Sequence, residues 1–218
     1  TVHRCLTNRE AREVPFADTV PFRAVPQLMT KVADDFLWAA RECMDRGYDE
    51  VNLNAGCPSG TVVAKGKGAG MLAEPENLNH FLDQIFSASP LPISVKTRVG
   101  IQDGNEFPRL LEIFNQYPLA ELIIHPRVRK DFYKPPLRLE WFEYAVTHTS
   151  IPLCYNGDLL TREQADQVSG VDAVMIGRGL VADPGMLTGF TDRETLRAFL
   201  NELSDTYCTV FGSKRNAI

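Results

Sequence analysis

The amino-acid sequence predicts an α/β fold built on a parallel sheet, and three observations predict it. Short apolar runs alternate with helix-like stretches from about residue 22 onward. The runs are apolar at successive positions, as in Leu122-Ile123-Ile124 and Ala173-Val174-Met175-Ile176, the pattern of strands covered on both faces. Polar residues, glycine or proline close each run before the next helical stretch begins.

The predicted strands are 24–29, 50–54, 92–97, 121–125, 152–156 and 173–177. The predicted helices are 32–46, 75–87, 105–116, 140–147 and 162–168. Pro75 suits a first helical position, where its missing N–H costs no bond, and Thr161 suits an N-cap. Gly47 stands where a helix C-terminus needs a left-handed residue. After Gly189 the pattern changes. Leu196, Phe199, Leu200, Leu203, Tyr207, Val210 and Phe211 take the spacing of an amphipathic helix within 192–211. Residues 1–21 leave room for one irregular strand at most.

The alternation alone fits an open doubly wound sheet or a barrel. A complete (β/α)8 barrel needs about 250 residues, roughly two units more than are visible here. The chain of 218 residues opens on Thr1 rather than Met, so a fragment is expected.

Composition narrows the class. There are 23 Lys and Arg against 28 Asp and Glu, a net charge of −5, with 44% hydrophobic and 23% charged residues. That balance excludes a disordered chain, a collagen and a coiled-coil rod. No apolar run approaches the roughly 20 residues of a membrane span, and no signal-peptide pattern is present. The five cysteines are widely spaced without a Cys-x-x-Cys pair, which argues against a disulfide scaffold or a zinc site. A cytoplasmic protein without metal is expected.

In parallel α/β folds the chemistry gathers at the C-terminal ends of the strands. The groups there are Gln27, Asn54 leading to Cys57, Lys96 with Arg98, His125 with Arg127, Asn156-Gly157-Asp158 and Gly177-Arg178-Gly179. A single polar strand end is ordinarily a cap or turn; six together point to a site. The last two loops suit a phosphate, with glycines for close approach and Arg178 as a charged fork. Lys96 and His125 are predicted to face one cavity, where a Lys can stabilise negative charge on a flavin edge. Cys57 precedes a Gly-rich stretch, 59–71, that reads as a mobile lid carrying an acid. The other four cysteines read as structural. Arg127, Arg129, Lys130, Lys134 and Arg138 are interleaved with Phe132 and Tyr133, a pattern suited to a backbone phosphate and a stacked base.

Five runs together resemble the tRNA-dihydrouridine synthases. They are Val51 through Pro58, Ser94 through Arg98, Ile124 through Arg127, Asn156-Gly157-Asp158 and Met175 through Gly179, in the family's order and spacing. The resemblance implies a (β/α)8 TIM barrel at 1–190, its N-terminal strand or strands missing from this chain. It also implies the beginning of a helical tRNA-binding domain at 191–218. It implies FMN as cofactor, NADPH as reductant and tRNA as partner, with uridine C5=C6 reduced to 5,6-dihydrouridine. By that likeness Cys57 matches the proton donor. Gln27, Lys96, His125, Asn156, Gly157, Asp158, Gly177 and Arg178 match flavin contacts. Asn54, Arg98 and Arg127 would lie near the uracil. Two positions depart from the pattern: Pro126 stands in place of a glycine, and Tyr155 in place of a small residue.

Two other readings compete. One is an FMN barrel acting on a small molecule of the dihydroorotate or enoate type. The other is an RNA-binding relative without flavin. No pattern shows which tRNA position is modified, or separates NADPH from NADH. The oligomeric state is not readable either, and a monomer is taken as the expectation.

Overall fold

The structure is a computed structural model that describes residues 6–189 and 192–211. Its elements, in chain order, are α1 (Asn8–Glu13), β1 (Gln27–Leu28), α2 (Ala33–Asp45), β2 (Val51–Ala55), α3 (Gly60–Val63), α4 (Pro75–Ala88), β3 (Ile93–Arg98), α5 (Phe107–Phe114), β4 (Leu122–His125), α6 (Leu139–His148), β5 (Leu153–Tyr155), α7 (Arg162–Asp166), β6 (Ala173–Val174), α8 (Arg178–Ala182) and α9 (Arg193–Phe211). Two compact units emerge. The first holds 6–157 with 170–175; the second holds 158–169, 176–189 and 192–211.

All six strands lie in one parallel sheet of order β1-β2-β3-β4-β5-β6. Sequential order decides between the two topologies the sequence left open. A doubly wound sheet doubles back, whereas a barrel adds each strand beside the last. The sheet is a six-stranded arc of a (β/α)8 barrel.

The two faces of the arc differ. Val51, Leu53, Ile93, Val95, Leu122 and Ile124 are buried, as are Phe36 and Ala40 of α2, Leu78, Phe81, Leu82 and Ile85 of α4, and Leu110, Leu111 and Phe114 of α5. Phe36 meets Phe81 edge to face at 6.2 Å. Burial of these side chains at roughly 1.5–3 kcal/mol each supplies the main driving force for docking the helices. The concave face is mixed: Gln27, Asn52 and Ser94 line a cavity of about 300 Å³ together with the apolar Ile123 and Met175, and Arg23, Glu50 and Glu121 also line it. The expectation of strands apolar on both faces holds on the helix-covered side and at Ile123 of β4, and fails at the concave positions of β1, β2 and β3.

Local signals account for most element ends. Pro75 opens α4, and Thr161 caps α7 with a reciprocal Gln164 side-chain bond. Gly47, at φ +85°, follows α2. The edge strands β1 and β6 are shorter than predicted, since each has only one neighbour to complete its ladder. Residues 105–116 begin with a 3-10 turn at Gly104–Glu106, so α5 starts later than predicted. The expectation of at most a strand before residue 22 gives way to α1, whose Thr7 and Glu10 cap each other. Asp192 accepts from the Thr195 N–H at 2.8 Å at the start of α9, as the amphipathic pattern predicted. The expectation for 212–218, and for Cys5, lies outside the described residues. Among the described residues no helix is long and apolar enough to cross a membrane, and no group of three or more His, Cys, Asp or Glu could hold a metal ion.

Candidate active site

The end of β2 delivers Cys57. Asn54 Oδ1 accepts from the Gly56 N–H at 3.1 Å and the Cys57 N–H at 2.9 Å. The Cys57 carbonyl accepts from the Ala69 N–H at 3.0 Å. Arg98 Nε donates to the Gly56 carbonyl at 2.9 Å, and its Nη1 donates to the Val128 carbonyl at 3.1 Å. The thiol is thus mounted on a backbone fixed from three sides, and it is half-buried. Burial pushes the Cys43 thiol up to about 11 and the Cys154 thiol to about 12, which leaves those two inert.

The glycine-rich stretch after Cys57 is not an open loop. It folds as α3 and a 3-10 stretch at Gly68–Ala73, with Gly68, Ala69, Met71 and Leu72 buried. This corrects the reading of a loose lid: glycine there serves close packing. A Cβ at Gly68 would lie 2.8 Å from Cys57 Cβ and 2.9 Å from Val62 Cγ1, at a φ of +56° that disfavours any side chain. Gly68→Ala is therefore expected to destabilise by about 2 kcal/mol and to displace Cys57. A urea midpoint unchanged from wild type would contradict this.

Strands β3 and β4 bring Lys96, Arg98, His125 and Arg127. Asn54 lies level with Lys96, and Arg98 with His125, while Gln27 lies lower, level with Asn52. The strand-end groups therefore occupy successive levels rather than one. Lys96 has no hydrogen-bond or ion-pair partner among the described residues. Burial first, then the Arg98 charge, lowers its pKa from 10.5 to about 8. Between those two pH values the unfolded chain binds more protons than the folded one, so this group makes stability rise with pH across that window. Lys96→Met should stabilise the protein at pH 7 by about 3 kcal/mol, with the gain fading toward pH 10.5. Equal midpoints for variant and wild type at pH 7 would refute this.

Arg98 and Arg127 are 2% and 1% exposed. Arg127 Nε donates to the Lys134 carbonyl at 2.8 Å, and its Nη1 lies 3.1 Å from His125 Nε2. A guanidinium only donates, so His125 Nε2 accepts and its proton sits on Nδ1. The basic cluster is not a uniform solvated stripe. Arg127 is buried, Arg138 pairs with Asp131, and Arg129 lies 5.2 Å over the Phe132 ring. Lys130 and Lys134 remain exposed. Tyr133, 54% exposed, sets its ring 5.5 Å from the Arg98 guanidinium and 6.3 Å from the His125 ring. Pro126, whose ring removes an N–H, still uses its carbonyl to accept from Arg138 N at 2.7 Å. Tyr155 is buried edge to face against Phe142 at 5.0 Å.

The last two loops divide between the units. In the first, Asn156 Nδ2 donates to the Met175 carbonyl at 2.8 Å, and Gly157 is packed against Leu137 and Tyr155. In the second, Asp158, at φ +47°, accepts from Arg178 Nη2 at 2.5 Å. Nothing lies within 4 Å of a Cβ built at Gly177, so the space above that backbone is open. Asn52 and Ser94, buried and in register on β2 and β3, are among the polar groups that escaped the sequence reading. The alternation Val51-Asn52-Leu53-Asn54 carries the signal for the first: both Asn residues face the concave side.

The family model for dihydrouridine synthase (Dus) matches residues 4–214 of this chain. The chain belongs to the dihydrouridine synthase family. A probable tRNA-dihydrouridine synthase of Staphylococcus epidermidis is 35% identical over 148 residues, covering 64% of this chain and 45% of that protein. A tRNA-dihydrouridine(16) synthase of Cupriavidus necator is 32% identical over 167 residues, 73% of this chain and 52% of that protein. The corresponding protein of Neisseria meningitidis serogroup A is 30% identical over 165 residues, 73% and 50% respectively. The chain spans about half the length of the curated relatives it matches. Asn54, whose side chain holds the Cys57 backbone, lies level with Lys96 on the neighbouring strand.

Proposed function

We propose that the protein of which this chain is part reduces the C5=C6 bond of a uridine in tRNA to 5,6-dihydrouridine, with FMN as cofactor and NADPH as reductant. The observation that carries the reading is Lys96, a half-buried cation without a hydrogen-bond or ion-pair partner among the described residues, on the strand beside the mount of Cys57. A cation held at that cost suits an electron-rich ring edge, so the donor set fits a flavin. Lys96 would hold the ring, with His125 beside it; both ends of the Gln27 amide are engaged by Asn54 and Asn52. Within the second unit, Arg178 and the open backbone at Gly177 suit a phosphate group. Reduced FMN, when bound, supplies the hydride that uracil C6 accepts.

The chain's own residues do the rest. Cys57 Sγ holds the proton that C5 requires and delivers it from a fixed backbone. Asn54 keeps that backbone in place, while Arg98 braces the preceding carbonyl. Arg98 lies buried against Tyr133, whose exposed ring offers a face to a base, and Arg127, buried on the Lys134 carbonyl, braces the loop that carries that ring. A uridine in folded RNA reaches such a site only after leaving its stack. Exposed Lys130 and Lys134 would meet the backbone phosphates.

An absorbance spectrum of the purified full-length protein, with identification of the chromophore released by heat, tests the cofactor. Flavin absorbance with released FMN supports the reading. A colourless protein that takes up no added FMN overturns it, and salt-sensitive tRNA binding would then favour the flavin-less RNA-binding alternative. FMN binding without tRNA binding would favour the small-molecule oxidoreductase.

A further inference from the structure

Below Cys57, three side-chain amides form one directed chain across β1, β2 and β3. Asn54 Oδ1 accepts from the Gly56 and Cys57 N–H groups at 3.1 and 2.9 Å. A backbone N–H can only donate, so this end of Asn54 is its oxygen and the other end is its nitrogen. Asn54 Nδ2 donates to Gln27 Oε1 at 2.7 Å. Gln27 Nε2 donates in turn to Asn52 Oδ1 at 2.8 Å, and Asn52 Nδ2 to Ser94 Oγ at 2.9 Å. Each amide is oriented by the one before it. One end of the chain is the backbone of the thiol; the other is Ser94, buried on the concave face together with Asn52.

We propose that Asn52 and Gln27 are positioning residues, which act through Asn54 to fix the backbone of Cys57 and so the reach of its thiol. The effect on turnover rests on the proposed uridine reduction; the effect on the thiol does not. Gln27 is the hydrogen-bond partner that the structure gives Asn54 Nδ2. Once that partner is lost, the amide is free to turn toward water and release the two N–H groups it holds. Chemical substitution separates this from simple packing. Asn52→Asp keeps an acceptor for Gln27 Nε2 and gains one for the Ser94 hydroxyl, so the chain survives. Asn52→Leu offers neither. Gln27→Leu cuts the chain at an exposed member, where the fold tolerates change.

The test follows iodoacetamide alkylation of Cys57 in the full-length protein, peptide by peptide, together with kcat and KM for unmodified tRNA. In Asn52→Leu and Gln27→Leu the Cys57 rate should change by roughly fivefold or more, while kcat falls roughly tenfold or more and KM is little altered. Asn52→Asp should restore both. The buried Cys43 and Cys154 should keep their wild-type rates, which separates displacement of Cys57 from general loosening. Cys57 alkylation within roughly twofold of wild type in both Leu variants would overturn the proposal. If the wild type forms no dihydrouridine yet the Leu variants shift Cys57 alkylation, the relay stands and the reading of the function falls.

Discussion

Cys57→Ala should lower dihydrouridine formation on unmodified tRNA by about two to three orders of magnitude, the range spanned by loss of a positioned general acid. Flavin content and tRNA binding should both stay at the wild-type level. The substitution removes only Sγ. The backbone contacts that hold residue 57, from Asn54 and Ala69, involve no side-chain atom of the cysteine. Neither Cys43 nor Cys154 can take over, because burial holds both thiols protonated and out of reach. Cys57→Ser should fall between the two, since a hydroxyl donates a proton less readily than a thiol. Single-turnover formation of dihydrouridine, read by mass spectrometry of the digested tRNA, is the measurement. Wild-type rates in Cys57→Ala would remove the thiol from the mechanism.

Arg98→Met should cost stability as well as activity. Its guanidinium is buried and bonds the carbonyls of Gly56 and Val128, so truncation takes the side-chain donor from Gly56 and leaves Val128 only the 3.3 Å bond from the Asp131 N–H. A buried acceptor left unpaired costs about 1–3 kcal/mol. Relief of repulsion works the other way, because Arg98 is crowded by Arg127 and in turn disfavours the charge on Lys96. The expected net loss is about 2–3 kcal/mol, read as a lower urea midpoint at unchanged slope. Arg98→Lys should recover little of it, since one ammonium cannot reproduce a fork aimed at two carbonyls. Stability equal to wild type in Arg98→Met would show that these two bonds contribute nothing net.

Much of the site was legible because chemistry and fold share one signal. Asn54, Lys96 and His125 end apolar runs, and the register of β2, β3 and β4 places Asn54 level with Lys96, with Arg98 and His125 one step beyond. Levels were not legible, because they depend on how strands pair. Gln27 therefore looked like an equal member of the ring, although it lies level with Asn52. Burial of Arg98 and Arg127 was hidden for a related reason. A guanidinium at a strand end reads the same whether it reaches solvent or folds back on backbone carbonyls, and here both fold back. Glycines after Cys57 read as mobility until Val62 and Cys57 are seen packed against Gly68. The expectation of at most a strand before residue 22 passes over the capping pair Thr7 and Glu10, yet its Thr-x-x-Glu spacing is the signal of the short helix at 8–13.

The most direct measurement of the central claim uses the full-length protein, FMN, NADPH and tRNA transcribed without modification. Nucleosides from the digested product are then separated by mass. The account predicts a uridine heavier by two hydrogens at one position of the tRNA, absent when Cys57 is alanine. Flavin-bound, tRNA-binding protein that leaves every uridine unreduced would contradict it.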